Sequence, residues 1–252
     1  MGSARLEQQQ TSTVSKRGLD LLDKVDYRLA QTAEERDEIY QLRYRAYLKE
    51  GAIDPNPTGR VTDRHDNSPN SWIFGVHLDG ELVSSLRITV ASPQYRDCPS
   101  MDVFPEFIGP QVDQGRVLID PTRFVGDPLK ANRYPELPYI TLRLAFVACA
   151  YFDADLGLAT VRAEHQAFYR RLFMHQPVSP PRDYPGLKKP IAMMAVDFRA
   201  KREAVFARYP FLRSTLFERR MLFARAGEVA PPVLRLAEVP AAPLAASVDC
   251  CI

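Results

Sequence analysis

Gln114 to Asp127 reads QGRVLIDPTRFVGD, and the fold turns on this stretch. Val117, Ile119, Phe124 and Val125 form a β-type run, while Pro121 in its middle has no N–H for a ladder and so marks a bend or bulge. Around that break stand Asp120, Thr122 and Arg123: a carboxylate, a hydroxyl and a guanidinium in an otherwise apolar strand. Polar chemistry placed inside a buried strand points to the active site.

Downstream, Glu136 to Phe152 turns helical with almost no polar side, which predicts a central buried helix. Gly157 ends it, a strand follows from Leu158 to Ala163, and a short helix over 164–173 carries Tyr169, Arg170 and Arg171. A proline-rich stretch to Pro190 reads as loop, and Ile191 to Phe198 as a last strand. Between 199 and 225, eight basic residues stand against Glu203 and Glu218, and Pro210 divides the segment into two helices.

Upstream, Trp72 to Leu78 and Leu82 to Val90 flank Asp79-Gly80-Glu81, a hairpin signal because Asp-Gly suits a tight turn with positive φ. Arg87 lies inside the second of these strands, on the solvent face or in a site. Ser92 to Gly109, rich in proline and aromatics, reads as loop. So does Ile53 to Asn70, which contains Asp63-Arg64-His65-Asp66; two carboxylates three apart there position an ammonium group, hold a metal with His65, or form a solvated turn. With no second ligand cluster at metal spacing, no metal is expected. Before it, Thr32 and Glu35 have capping-box spacing ahead of an amphipathic helix over 33–49, on which Arg43 and Tyr47 share a face. A surface arginine stacked on a tyrosine is the bland reading of that pair.

Composition is that of ordinary globular material, 46% hydrophobic and 25% charged, and a formal charge of +2 over 252 residues gives no excess for a nucleic-acid partner. Four cysteines, Cys98, Cys149, Cys250 and Cys251, have neither CxxC spacing nor a paired framework, in keeping with a reducing cytoplasm. No run approaches the ~18 apolar residues of a membrane span, and peripheral membrane contact stays open. Residues 1–24 are expected to be a flexible segment with at most a short helix, 25–225 one domain, and the Ala/Pro-rich 226–252 a mobile tail. The order of elements is that of an α+β domain.

That order resembles the GNAT acyltransferase fold, an α/β/α sandwich with a mixed, bent central sheet, and Ala167-Phe-Tyr-Arg-Arg-Leu resembles its A-x-x-Y helix. Arg43-x-x-x-Tyr47, Asp63-x-x-Asp66, Arg87 and Asp120-x-Thr122-Arg123-Phe124 resemble, in order, the motif series of acyl-homoserine lactone synthases. Tyr47 stands where those enzymes have Phe and Asp120 where they have Glu. Over about residues 27–200 the chain is most similar to the related FeeM-type N-acyl amino acid synthases.

The resemblance implies an N-acyltransferase that moves a long-chain fatty acyl group to the α-amine of an amino acid, with no metal or redox cofactor. By the same resemblance Arg43, Tyr47, Asp63, Asp66, Arg87, Thr122, Phe124 and Arg123 shape the acceptor pocket. The Gly-rich pyrophosphate loop of CoA-using relatives is absent after the bent strand, where Gly126-Asp-Pro-Leu-Lys-Ala stands, so the expected donor is the acyl-phosphopantetheine of acyl carrier protein. Acyl transfer to an amine needs a base, for which Asp120 is the candidate unless it only pairs with Arg123. It also needs an oxyanion site, expected from N–H groups freed at Pro121. Tyr169 either protonates the leaving thiolate or packs as an ordinary helix tyrosine. Arg170 and Arg171 are the expected docking residues for the acidic carrier. The rival functions are a lactone synthase, an acyltransferase of an export or exopolysaccharide system, and a non-catalytic carrier-binding module.

Overall fold

The computed structural model describes residues 14–225. The expected mobile tail at 226–252 and the first residues of the N-terminal segment lie outside them. A helix through 14–22 (α1) precedes β1 (Val25–Leu29) and α2 (Ala33–Lys49). Thr32 and Glu35 cap α2 reciprocally, as their spacing predicts: each side chain accepts from the other's backbone N–H. β2 (Ser71–Leu78) and β3 (Glu81–Ala91) form the hairpin, and Asp79 and Gly80 take φ of 52° and 80°, the double left-handed step of a two-residue turn.

Two elements depart from the sequence reading. α3 (Pro105–Asp113) begins inside the expected loop and runs past its end at Gly109, with Pro105 at the helix start, where its missing N–H has no cost, and Pro110 in its interior. β6 (Gln176–Arg182) forms although it contains three prolines, because it is the last strand of the sheet and one of its edges needs no donors.

The seven strands run in the order β1-β2-β3-β4-β5-β7-β6, with β4 (Leu118–Gly126), β5 (Leu156–Val161) and β7 (Ile191–Asp197) at the centre and far side. All neighbours are antiparallel except β4 and β5, which pair in parallel only at Leu118↔Leu156 and Ile119↔Gly157. Beyond Ile119 the two strands part, and Pro121 is the second residue after the last pair. On the other side of β4 the register with β3 slips: Ser85 faces Val125 while Arg87 faces Thr122, so three steps on β4 oppose two on β3. The extra residue is absorbed in a bulge that holds Arg123 at φ 56°.

Helix α4 (Leu137–Tyr151) is buried along nearly its whole length, as its unbroken apolarity requires, and packs on β3, β4 and β5. Its one charge, Arg143, is buried too; it donates to the carbonyls of Phe211 and Arg213 and pairs with Glu218. In this way it anchors the C-terminal layer, in which α6 (Phe198–Arg208) and α7 (Leu216–Phe223) are separated by a 3-10 turn beginning at Pro210. Between β5 and β6 lies α5 (Gln166–Phe173). No helix among the described residues is long and apolar enough to cross a membrane.

Candidate active site

A cleft of about 720 Å³ opens where β4 and β5 part. Its walls are Pro121–Gly126 on one side and Leu158–Arg162 on the other. The start of α4 (Leu137, Pro138, Leu142), Phe168 and Tyr169 of α5, and the end of α2 with Tyr47, Lys49 and Glu50 close it in. Its size is that of a cavity that takes a substantial organic ligand, and one half is apolar. The parted strands are the physical cause: unpaired strand edges need space or a ligand between them.

Asp63 and Asp66 are spaced three apart for a local reason. Asp63 caps a 3-10 turn at Arg64–Asn67 and accepts from the His65 N–H at 2.9 Å, while Asp66 reaches back to accept from the Asp63 N–H at 3.0 Å. The box fixes both carboxylates and aims their free lone pairs at the sheet. Asp66 accepts from Arg43 Nη1 at 2.8 Å and from Arg87 Nη1 at 2.9 Å. Asp63 accepts from Arg87 Nη2 at 3.0 Å and from Arg123 Nη2 at 2.7 Å. Arg87 Nε also donates to Thr122 Oγ1 at 3.1 Å across the β3–β4 pair. The result is one alternating chain, Arg43–Asp66–Arg87–Asp63–Arg123.

Exposure rises along this chain. The side chains of Arg43 and Arg87 are fully buried and Asp66 nearly so, whereas Arg123 is 10% and Asp63 22% exposed. Arg123 alone of the five lines the cleft. The surface pairing of Arg43 with Tyr47 does not occur: Arg43 is buried with its guanidinium over the Tyr40 ring, and Tyr47 lies under Arg123, 5.8 Å from its guanidinium carbon. Burial alone would raise the Asp63 carboxyl, but hydrogen bonds and charge from Arg87 and Arg123 outweigh it and hold the group well below the usual carboxylate range. Burial works against the charge of Arg123, and Tyr47 and Asp63 more than restore it, pushing its pKa up. Three guanidiniums against two carboxylates leave the chain with one surplus positive charge, and its accessible end is Arg123.

Asp120 stands elsewhere than a base requires. It is fully buried, lines no part of the cleft, and both of its oxygens accept from Ser100, at 2.8 Å from the backbone N–H and 2.7 Å from Oγ. Burial raises its pKa, with Ser100 and Arg87 pulling the other way. The anticipated pairing with Arg123 is also replaced, since Arg123 spends its fork on Asp63. As placed, Asp120 fastens the segment at Ser100 to the bent strand. Asp120→Asn, which keeps an acceptor for Ser100, is therefore expected to slow turnover by less than roughly tenfold and to leave the pH–rate profile in place; a displaced profile would restore the carboxylate as the base.

Phe124 and Tyr169 both line the cleft, and burial pushes the Tyr169 phenol up, so that it keeps its proton. Arg170 and Arg171 are exposed on the outer side of the same helix, with Arg170 donating to Gln166. Around His65 a possible cation cluster with Asp97 and Asp102 exists, but the Arg64 guanidinium bridges both carboxylates, at 2.6 Å to each, and supplies the positive charge.

Sequence reading missed Tyr184 and Leu187. Both lie in the β6–β7 connection, reach the cleft, and are held over the end of α2 by Lys188, whose N–H donates to the Ala52 carbonyl and whose ammonium pairs with Asp54. The only signal was an aromatic inside the Pro/Gly-rich run Asp183-Tyr-Pro-Gly-Leu.

The N–H groups that follow β4 and open α4 are already occupied. Asp127 N–H donates to the Val83 carbonyl, Leu129 N–H to Asp127 Oδ1 and Lys130 N–H to the Asp127 carbonyl. At the start of α4, Leu137 N–H donates to the Tyr134 carbonyl, Pro138 has none, and the N–H groups of Tyr139 and Ile140 donate to the Glu136 carbonyl. A helix start used up in this way has little to offer a pyrophosphate.

A family model described as N-acyl amino acid synthase FeeM matches residues 38–197. Among solved structures, FeeM from uncultured soil microbes superposes with a TM-score of 0.58 at 15% identity, covering 73% of this chain and 96% of that one. The acyl-homoserine lactone synthase LasI gives a TM-score of 0.51 at 12% identity, covering 68% and 89%. The CoA-dependent lactone synthase BjaI gives 0.50 at 14% identity, covering 74% and 89%. Comparison with curated proteins returned no match.

Proposed function

The chain belongs to the FeeM family of N-acyl amino acid synthases and is an N-acyltransferase, and we propose that it moves a fatty acyl group from acyl carrier protein to the α-amine of an amino acid. The observation that carries this reading is the position of Arg123: the accessible end of a net-positive buried network, set into the wall of a half-apolar cleft between two parted strands. A free amino acid brings a carboxylate for that guanidinium, and the acyl chain takes the apolar half beside Leu137, Leu142, Leu158 and Phe168.

In the reaction the amine nitrogen attacks the thioester carbonyl, the C–N bond forms, and the C–S bond breaks. The ammonium must first lose a proton. Asp63 is ill suited to take it, because a carboxylate held so far below its usual range binds protons weakly, though it accepts hydrogen bonds well. With Asp120 turned to Ser100, the proton is assigned to water entering the cleft. The oxyanion is placed near the β4 bulge, where the ladder to β5 has ended. Tyr169, protonated and in the cleft wall, donates a hydrogen bond to the departing thiolate, which takes up the proton that the amine gave to water.

The occupied N–H groups at 127–130 and at the start of α4 favour a donor that brings one phosphate rather than a pyrophosphate. Arg170 and Arg171 beside the cleft suit an acidic carrier, whose encounter weakens with salt. Acyl-CoA is expected to show a kcat/KM at least roughly tenfold below that of acyl carrier protein carrying the same chain. Comparable values would reverse the donor assignment. Incubation with acyl carrier protein and pooled amino acids, followed by mass spectrometry, tests the whole reading; an acylated lactone, or thiol release with no acylated amine, would replace it.

A further inference from the structure

Helix α7 has one side that the fold leaves bare. Its inner side is committed: Glu218 turns to the buried Arg143, and Phe223 packs edge-on against Trp72 and Phe74. On the outer side Leu216, Phe217 and Met221 are 55%, 74% and 69% exposed. Of the seven exposed large hydrophobics among the described residues, three thus fall on this one eight-residue helix. Phe217 and Met221 are one turn apart on the same side, with Arg220 between them. Arg213, exposed just before the helix, pairs with Glu203 and lies over the Phe206 ring of α6, and it adds a second guanidinium to this end of the surface. Glu218 is turned away from this surface, and Glu203 is held by Arg213 and Arg202.

We infer that the outer side of α7, with Phe217 and Met221 inserted and Arg213 and Arg220 at headgroup level, is a docking surface for an anionic lipid bilayer. Apolar side chains that protrude from a convex helix, ringed by arginines, match an interface between acyl chains and negative headgroups. A second copy of the chain fits less well. An eight-residue helix offers far less than the ~800 Å² per partner of a stable interface. Neither cleft wall nor acceptor network takes part, so the surface does not depend on the acceptor proposed above.

Co-sedimentation of the full chain with vesicles tests the surface directly. Binding to phosphatidylcholine vesicles containing phosphatidylglycerol is expected to exceed binding to pure phosphatidylcholine by at least roughly tenfold and to fall as salt is raised. Phe217→Ser combined with Met221→Ser is expected to lower the partition coefficient by roughly tenfold with an unchanged circular dichroism spectrum, since both side chains are exposed. Arg213→Gln combined with Arg220→Gln is expected to weaken binding to the anionic vesicles and flatten its salt dependence. Wild-type protein left in the supernatant with both vesicles, equal binding to the two, or a Phe217/Met221 variant that binds as wild type would each overturn the proposal. A dimer that the serine variant makes monomeric would reassign the surface to self-association.

Discussion

Arg123→Ala is expected to lower kcat/KM by roughly 10²-fold or more while the protein stays folded. The guanidinium is the accessible end of the Arg43–Asp66–Arg87–Asp63–Arg123 chain, and with it the cleft loses its hold on an acceptor carboxylate. Asp63 keeps its two hydrogen bonds from Arg87, so the buried part of the chain stays paired. The residue's φ of 56° complicates the choice of substitute, because any side chain there sits in the left-handed region. Arg123→Gly resolves this: glycine adopts that φ without strain, so the bulge persists and only the guanidinium is lost. Equal losses in the two variants would assign the effect to the side chain, and Arg123→Lys should recover only part of the activity, having charge without the two-pronged fork. Steady-state rates with a soluble acyl donor, alongside circular dichroism, make the measurement. Full activity in Arg123→Ala would remove the acceptor site from this strand.

Asp66→Ala is expected to cost about 3–5 kcal/mol of stability, the largest effect foreseen for a single substitution here. Among the described residues Asp66 is the sole carboxylate partner of Arg43, and it shares Arg87 with Asp63. Arg43 is fully buried, with its Nε and Nη2 already without a hydrogen-bond partner, so removing Asp66 strands a charge that has no route to water. Urea denaturation of the two proteins measures the difference; a loss under about 1 kcal/mol would show the pairing to be worth no more than a surface ion pair. The same network sets acid sensitivity. Asp63 is depressed in the folded protein, so its contribution is fully present above the unfolded carboxylate value of ~3.9 and is lost as pH falls below it toward the folded value. Unfolding followed from pH 5 downward should therefore steepen below about pH 4, and should do so less in Asp63→Asn.

Where function follows local chemistry, the residues announced it. The Asp79-Gly80 turn and the Thr32/Glu35 cap are closed by neighbours within four residues, so spacing alone fixes their geometry; the Asp63/Asp66 box is just as local, but its spacing reads equally as an ammonium site, a metal site or a solvated turn, and only the structure shows the box. Pro121 in an apolar run determined that β4 would break, and the composition of 136–152 determined that α4 would be buried on every side. Helix α3 and strand β6 escaped because proline weighs against both in general, while Pro105 sits at a helix start and the prolines of β6 in an edge strand, positions that only topology defines; Pro110 is carried inside α3 at the loss of one backbone hydrogen bond. Three-dimensional packing decided the rest. Arg87 is buried because both faces of β3 are covered, and Tyr47 meets Arg123 instead of Arg43 because α2 packs against β4 as well as β3. Asp120 turns to Ser100, twenty residues earlier, and not to the cleft. A charged side chain's partner lies wherever the fold brings a counter-charge, often dozens of residues away, and that distance is what sequence spacing does not encode; a turn, a cap and a strand break are written in the few residues that make them.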